Sequence, residues 1–458
     1  MSENIIKIRD DHQQLRFVAD GDKYTIASDS DSVPKLSWLP DNVADFTISD
    51  LRKGIEPWLA SLFQSEHLSV FVGSGLTTAL QYMAGVTPPE GMNVPTLASM
   101  YADQIKTFAD NSVQVTDRGK ANIEDYIRVM NELLCGLKIM GNGTEFDSLQ
   151  NELDDILNKF ILGISESERS IAEAQAKKRE EVFHCLISFL MSFASRTGTR
   201  DRLNIFTTNY DRLIEAGAEI AGLHLIDRFI GSLSPIFRSS RLDIDMHYNP
   251  PGIRGEPRYL EGVARFSKLH GSIDWVESEK DIRRIGLPFG AIDINSYLNA
   301  PGLYGASINK IMIYPNASKD RETTEYPFVE LFRDFAAAVC RPNSTLVTYG
   351  YSFGDDHINR IIRDMLTIPS THLVIISYDD STGRIDRFYQ LRPAQITLMI
   401  GAALADIGAL TEHFLPKPAI DRASIRMSEL LKQRYSTYRE ETYSSDKTSM
   451  KHIEESGE

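Results

Sequence analysis

The sequence predicts an α/β fold, a doubly wound and mainly parallel sheet, and three observations carry that expectation. Short, largely apolar runs recur at Leu68 to Val72, Leu203 to Phe206, Leu373 to Ile376 and Ile396 to Ile400, as in strands buried on both faces. Stretches with helical spacing alternate with these runs. Five strands stop in glycine or hydrogen-bonding side chains, at Gly73, Asn209, His270, Gly350 and Ser377.

At 458 residues the chain is long enough for a large core, in about two or three domains or one domain with a substantial insertion. A net charge of −15 argues against a nucleic-acid binder that relies on a basic face, so no direct nucleic-acid contact is expected. The three cysteines, Cys135, Cys185 and Cys340, are too far apart for a paired metal-ligand motif, and no metal is predicted. The opening M-S-E-N-I-I-K-I lacks a signal-peptide core, and the longest apolar run, Cys185 to Ala194, is too short to span a bilayer. The expectation is a cytoplasmic protein without membrane contact.

Residues 1–45 read as an N-terminal extension with a hairpin, Leu15 to Val18 against Lys23 to Ile26, turning at Gly21. Residues 46–95 open the core. Leu51, Ile55, Leu59 and Phe63 mark a helix, with Pro57 near the start of its strongest part, and Leu68 to Val72 is the first core strand. That strand ends in G-S-G-L-T at 73–77, where glycine lets the backbone approach a ligand and free amides at the helix start suit a phosphate. Thr78 stands where a full G-x-G-x-x-G fingerprint has glycine.

Residues 96–200 read as a helical insertion, with Leu149, Leu153, Ile156, Leu157, Phe160 and Ile161 on one apolar face. Its N-I-E-D-Y stretch at 122–126 reads as a solvated helix cap before it reads as a ligand contact.

Residues 201–415 continue the core. Asn204 to Asp211 passes from an apolar strand into T-T-N-Y-D, where Asn209 or Asp211 either caps the helix near Leu213 or faces a ligand. Arg265 to Leu269 ends at His270-Gly271-Ser272, and Lys310 to Tyr314 reads as a further strand. A helix with Leu331 and Phe335 on its buried face precedes Thr345 to Thr348, which leads into Y-G-Y-S-F-G-D-D-H at 349–357. Asp355, Asp356 and Asn359 there read as helix caps. Leu373 to Ile376 ends in S-Y-D-D, and Ile396 to Ile400 precedes a helix through Phe414. Residues 416–458 read as a C-terminal helix and a disordered charged tail.

In open parallel sheets, ligands bind beyond the carboxyl ends of the strands at a topological switch point, so five polar strand ends in one sheet describe a pocket. G-S-G-L-T at 73–77, T-T-N-Y-D at 207–211, K-L-H-G at 268–271 and Y-G-Y-S at 349–352 occur in the order found in sirtuins. Over roughly residues 66–415 the chain more closely resembles the prokaryotic sirtuin-like NAD hydrolases of antiphage defence.

The resemblance implies a Rossmann-like core with NAD as substrate. It implies that Asn209 positions the nicotinamide ribose or the attacking water, and that His270 is general base towards a ribose hydroxyl or water. Asp211 would hold the nicotinamide carboxamide; Gly73, Ser74, Gly75 and Thr77 would approach pyrophosphate and ribose. Ser352 in the Gly350 turn would reach a phosphate, and Asp379 the adenosine ribose.

Deacylating sirtuins carry a four-cysteine zinc module after L-H-G, whereas Ser272 to Asn309 holds no cysteine. The G-x-P-D-F-R stretch is missing too, with Val94-Pro95-Thr96 in that region. The implied activity is therefore NAD glycohydrolysis to nicotinamide and ADP-ribose, depleting NAD in bacterial antiphage defence by abortive infection. Control would come through a homo-oligomer and a HerA-like ATPase partner. An NAD-dependent deacylase or ADP-ribosyltransferase, and a catalytically silent NAD-binding scaffold or sensor, are the alternatives.

Overall fold

The structure, a computed structural model, describes residues 3–9, 11, 13–21, 23–27, 36, 38–39, 45–87, 93–116, 121–196, 200–240, 246–248, 258–259, 262–279, 281–303, 305–306, 311–313 and 326–417. Eleven strands form one sheet: β1 Asn4–Lys7, β2 Leu15–Asp20, β3 Lys23–Ile26, β4 Asp45–Phe46, β5 His67–Val72, β6 Asn204–Thr207, β7 His224–Ile226, β8 Val263–Lys268, β9 Ser344–Tyr349, β10 His372–Ser377 and β11 Ile396–Ile400. Their order is β4-β3-β2-β1-β11-β10-β9-β5-β6-β8-β7.

From β11 to β7 every pairing is parallel. The first parallel strand in the chain, β5, has β6 on one side and β9 on the other, so the winding reverses there and opens a crevice at the carboxyl edge. Val72 stands level with both Thr207 and Tyr349, and Thr207 with Lys268. That register brings the loops after β5, β6, β8 and β9 to one height.

Among the described residues, ten helices of six residues or more follow in chain order: α1 Ile48–Phe63, α2 Gly75–Ala84, α3 Ala102–Thr116, α4 Ile123–Met140, α5 Gly143–Ala172, α6 Ala176–Ala194, α7 Leu213–Ala221, α8 Phe328–Val339, α9 Asp356–Leu366 and α10 Arg384–Tyr389. Strand alternation sends Leu68, Val70 and Val72 into a core with α1, α2, α6 and α7, while Phe71 joins α8, α9 and α10 on the opposite face. The sheet is thus doubly wound, as its apolar runs predict. Phe335 of α8 is fully buried and meets Phe71 and Phe206 with ring centroids 5.6 and 4.9 Å away. Helix α1 begins at Ile48 behind Thr47, whose amide donates to Asp50 Oδ2 at 3.1 Å, and Pro57 lies inside it.

Three features depart from the sequence reading. The N-terminal strands β1 to β4, expected as a lead-in, extend the central sheet: β1 pairs antiparallel with β11, closing over an edge that the parallel order leaves open. Ile311–Ile313, expected within the alternating core, pairs instead with Gly271–Ser278 in a separate antiparallel sheet that includes Asp281–Arg284, Ile236–Phe237 and Phe229–Ile230. Nothing in the local pattern distinguishes these short strands from loops. Finally, the helix expected after β11 is broken into three short helical pieces, Ala402–Ala405, Ile407–Ala409 and the π-helical Leu410–Phe414. The C-terminal helix and tail expected for residues 416–458 fall in a separate unit and, beyond residue 417, outside the described residues.

The insertion helices α4 and α5 share a third core with the small sheet, with Met130, Leu153 and Phe160 against Ile273, Val276 and Ile285. The small sheet therefore anchors the insertion beside the carboxyl edge.

At the crevice itself the loops after β5 and β9 touch backbone to backbone. Gly73 N donates to Tyr349 O at 2.9 Å and Gly75 N to Gly350 O at 3.0 Å. Gly350 sits at φ +60°, and a Cβ there would lie 2.7 Å from Gly75 Cα. Gly350→Ala therefore combines a left-handed backbone with a clash against main chain, and is expected to destabilise the protein by at least about 2 kcal/mol. A denaturant midpoint equal to that of the parent would contradict this close contact.

Burial governs His372 at the start of β10. It pulls the imidazole down to about 4, with Lys7 adding a smaller push in the same direction. Thr397 Oγ1 accepts from the Trp58 indole N–H at 2.9 Å, which leaves its hydroxyl proton for His372 Nε2 at 2.8 Å and suits a neutral ring. Between the unfolded value of 6.5 and about 4 the unfolded chain binds the extra proton, so this site's stability is present at neutral pH and lost on acidification through that window. Urea midpoints from pH 7 to 4.5 are expected to fall less steeply for His372→Gln than for the parent; parallel curves would rule the linkage out.

Candidate active site

The crevice holds a cavity of about 790 Å³. From the glycine loop and α2 come Gly73, Ser74 and Thr77, from the loop after β6 Thr208 to Asp211, after β8 His270, and after β9 Gly350 to Ser352. Of the residues singled out in the sequence, eight line it: Gly73, Ser74, Thr77, Asn209, Asp211, His270, Gly350 and Ser352. Gly75 is not among the lining residues; its amide is spent holding Gly350 O. Asp379 is not among them either. It belongs to a tight turn in which its carboxylate accepts from Ser381 N at 2.8 Å.

Asn209 is buried and oriented by its neighbours. Its Nδ2 donates to Gly73 O at 3.1 Å and to Thr77 Oγ1 at 3.2 Å, while its amide N donates to Thr207 Oγ1 at 3.0 Å. A main-chain carbonyl accepts only, so the nitrogen must face Gly73 and the oxygen is left as the acceptor available to a ligand. Asp211 lines the cavity with both oxygens engaged: Oδ2 accepts from Thr77 Oγ1 at 2.6 Å and Oδ1 from Leu213 N at 3.1 Å. Of the two candidate caps in T-T-N-Y-D, Asp211 is the one that bonds the α7 start.

His270 is buried on the turn between β8 and the small sheet, where Gly271 takes φ +85°. Leu269 N donates to Thr207 O at 2.8 Å, continuing the β6 to β8 pairing up to the histidine. The Tyr210 ring lies 6.4 Å from the imidazole between centroids and also meets Phe160 of α5 at 5.8 Å.

One buried cation organises this wall. Lys268, 1% exposed, donates from Nζ to Tyr210 O at 3.3 Å, to Asp211 O and to Glu215 Oε1 at 3.0 Å. Tyr210 O also accepts from Ser272 Oγ and Ile273 N, each at 3.3 Å. The lysine of K-L-H-G thus clamps the backbone of T-T-N-Y-D. A second buried charge holds the next layer: Glu168 of α5 accepts from Arg212 N at 2.7 Å, from Arg212 Nη2 at 2.6 Å and from Gly290 N at 3.0 Å.

The insertion contributes the far wall, with Asn122, Ile123 and Glu124 from the start of α4 and Ile156, Lys159 and Phe160 from α5. The N-I-E-D-Y stretch does cap its helix, since Asp125 N donates to Asn122 Oδ1 at 3.2 Å and Asn122 N to Asp125 Oδ2 at 3.0 Å. It is not solvated: Glu124 is buried and its Oε1 accepts from the Tyr210 hydroxyl at 2.7 Å. The G-D-D-H run also differs from expectation, because Asp355 occupies the cap position of α9 without a side-chain cap bond. Asn359 instead donates to Phe353 O at 2.9 Å and accepts from Tyr351 OH at 3.0 Å, closing a loop in which Phe353 takes φ +53°.

Lys159, Arg384, Gln81 and Ser167 line the cavity without any sequence signal singling them out. Val94-Pro95-Thr96, noted in the sequence only as a substitute stretch, lines it as well. Among the described residues no cluster of histidine, cysteine or carboxylate side chains has the arrangement of a metal site, and no helix is long and apolar enough to cross a membrane.

Replacing Lys268 by Met leaves Glu215 without its cation and the Tyr210–Asp211 backbone without its clamp. Burial already pushes the Glu215 carboxyl up against the pull of Lys268. The expected cost is about 3–5 kcal/mol, partly recovered in Lys268→Met with Glu215→Leu. Denaturant curves check both variants, and a stable single variant would remove the clamp from the account.

Comparison with curated proteins finds no match. The family model described as the SIR2-like domain matches residues 203–399. That stretch runs from the residue before β6 into β11 and takes in T-T-N-Y-D, K-L-H-G and Y-G-Y-S, so this part of the chain is similar to that domain.

Proposed function

We propose that the protein is an NAD glycohydrolase, converting NAD and water into nicotinamide, ADP-ribose and a proton. The observation that carries this reading is the fixed carboxamide of Asn209: its nitrogen is tied to Gly73 and Thr77, and its oxygen is left as an acceptor in the cavity that His270 also lines. The SIR2-like match over residues 203–399 supports an NAD-related activity. The cavity of about 790 Å³ lies within the range of roughly 300–1,000 Å³ common for small-molecule sites.

In NAD the bond between the ribose C1′ and the pyridinium nitrogen breaks with its electron pair going to nitrogen, so nicotinamide leaves neutral and no acid is needed to assist it. Positive charge develops on the ribose, as in glycoside hydrolysis. Asn209 Oδ1 accepts a hydrogen bond from the attacking water or the adjoining ribose hydroxyl, and His270 takes the proton released when water oxygen bonds C1′. The α2 N-terminus and the Gly73–Gly350 contact let backbone reach the pyrophosphate, with Ser352 beside it. The cationic side chains Lys159 and Arg384 in the same cavity favour an anionic ligand.

The absence of cysteine from Ser272 to Asn309 favours water over an acylated lysine as acceptor. On the resemblance of the four motifs, the reaction depletes NAD in bacterial antiphage defence, under the control of a homo-oligomer and a HerA-like ATPase.

Purified protein, alone and with a HerA-like ATPase, is expected to release nicotinamide from NAD, and Asn209→Ala and His270→Ala each to lose on the order of 100-fold or more in rate. Full activity in both folded variants would remove this mechanism. Release that depends on an acylated peptide would favour a deacylase, and no release under any condition a silent NAD-binding scaffold.

A further inference from the structure

The glycine loop, T-T-N-Y-D, K-L-H-G and Y-G-Y-S account for one wall of the cavity, and Glu124 stands on the other. We propose that Glu124, supplied by the helical insertion, is a further catalytic residue that accepts a hydrogen bond from the 2-hydroxyl of the ribose carrying the scissile bond. This rests on the NAD-glycohydrolase reading.

Placement is the first reason. Glu124 lines the cavity at the start of α4, and its Oε1 accepts from the hydroxyl of Tyr210 at 2.7 Å. Tyr210 follows Asn209 in the chain and lies beside the His270 ring. The carboxylate is therefore tied to the reacting end of the pocket, whereas Ser352 and Arg384 belong to the side built from the loop after β9 and the start of α10.

Capping is the second reason. Helix capping at this position is done by Asn122 and Asp125, which bond each other's backbone amides, so Glu124 is not needed for it.

Chemistry is the third. When nicotinamide departs, cationic character builds on the ring oxygen and C1′, while the other two acids that line the pocket are set elsewhere. Asp211 has both oxygens engaged by Thr77 and Leu213, and Asp355 belongs to the turn after β9. A carboxylate that accepts from the 2-hydroxyl pulls its proton outward, leaves more electron density on the ribose and strengthens as the charge develops. No bond to Glu124 forms or breaks and it takes no proton; water still attacks C1′ and nicotinamide still leaves with the bonding pair.

Glu124→Gln keeps the shape and an acceptor for Tyr210 while removing the charge. Its rate of nicotinamide release is expected to fall on the order of 100-fold with an unchanged melting temperature. ADP-ribose binding gives a second readout that needs no turnover: the parent is expected to prefer ADP-ribose about 10-fold over the analogue lacking that ribose 2-hydroxyl, and Glu124→Gln to lose the preference. Equal preference in parent and variant overturns the proposal, whatever happens to the rate, and so does a variant with the parent's turnover. If the parent releases no nicotinamide, the glycohydrolase reading falls and the ADP-ribose preference alone decides whether Glu124 meets the ribose. If Glu124→Gln does not fold, lack of any preference in the parent is enough to reject the contact.

Discussion

The close backbone contact between the loops after β5 and β9 is the constraint on which the rest of the site depends. Gly75 N reaches Gly350 O at 3.0 Å and Gly73 N reaches Tyr349 O at 2.9 Å, a separation that leaves no room for Cβ atoms. With the two loops seam to seam, the crevice made by the reversal of winding is closed at its base. Gly73 O then stands where Asn209 Nδ2 can bond it at 3.1 Å, and that bond decides which way the carboxamide faces. A side chain at either glycine would part the loops and release Asn209 as well.

Charge buried beneath the loops completes the wall. Lys268 and Glu168 each spend nearly all their hydrogen-bonding capacity on main-chain or oppositely charged partners around T-T-N-Y-D. Such groups are costly to desolvate, and that cost is offset only when their partners are held in place. Their effect is rigidity where the proposed chemistry needs it, one residue away from Asn209. Glu168 also belongs to α5, so the same pair ties the insertion to the parallel sheet.

Much of the site was legible because it follows from local pattern. Asn209, His270, Gly73 and Gly350 stand at the ends of apolar strands, and a parallel sheet brings such ends to one edge whatever the details of packing. Asp379 illustrates where that logic stops. It too follows a strand, β10, but a tight turn folds its carboxylate onto Ser381 N and away from the cavity lining. Lys159 illustrates the converse, since it sits on a helix whose sequence periodicity describes only its apolar face and says nothing about what the polar residues meet.

By itself, the sequence determined the doubly wound parallel core, the strand ends that carry polar residues and the order of the four motifs, because strand burial and glycine turns are written in short stretches of chain. Tertiary structure alone decided that the N-terminal strands extend the sheet, that the residues after K-L-H-G build a second sheet, and that the insertion leans on it to form the far wall. These depend on pairings between residues distant in sequence. The T-T-N-Y-D loop shows both halves at once: its residue types announce a polar strand end, but the division of labour, with Asp211 bonding the α7 start and Asn209 offering its oxygen to the cavity, follows from where Thr77, Gly73 and Lys268 arrive in space.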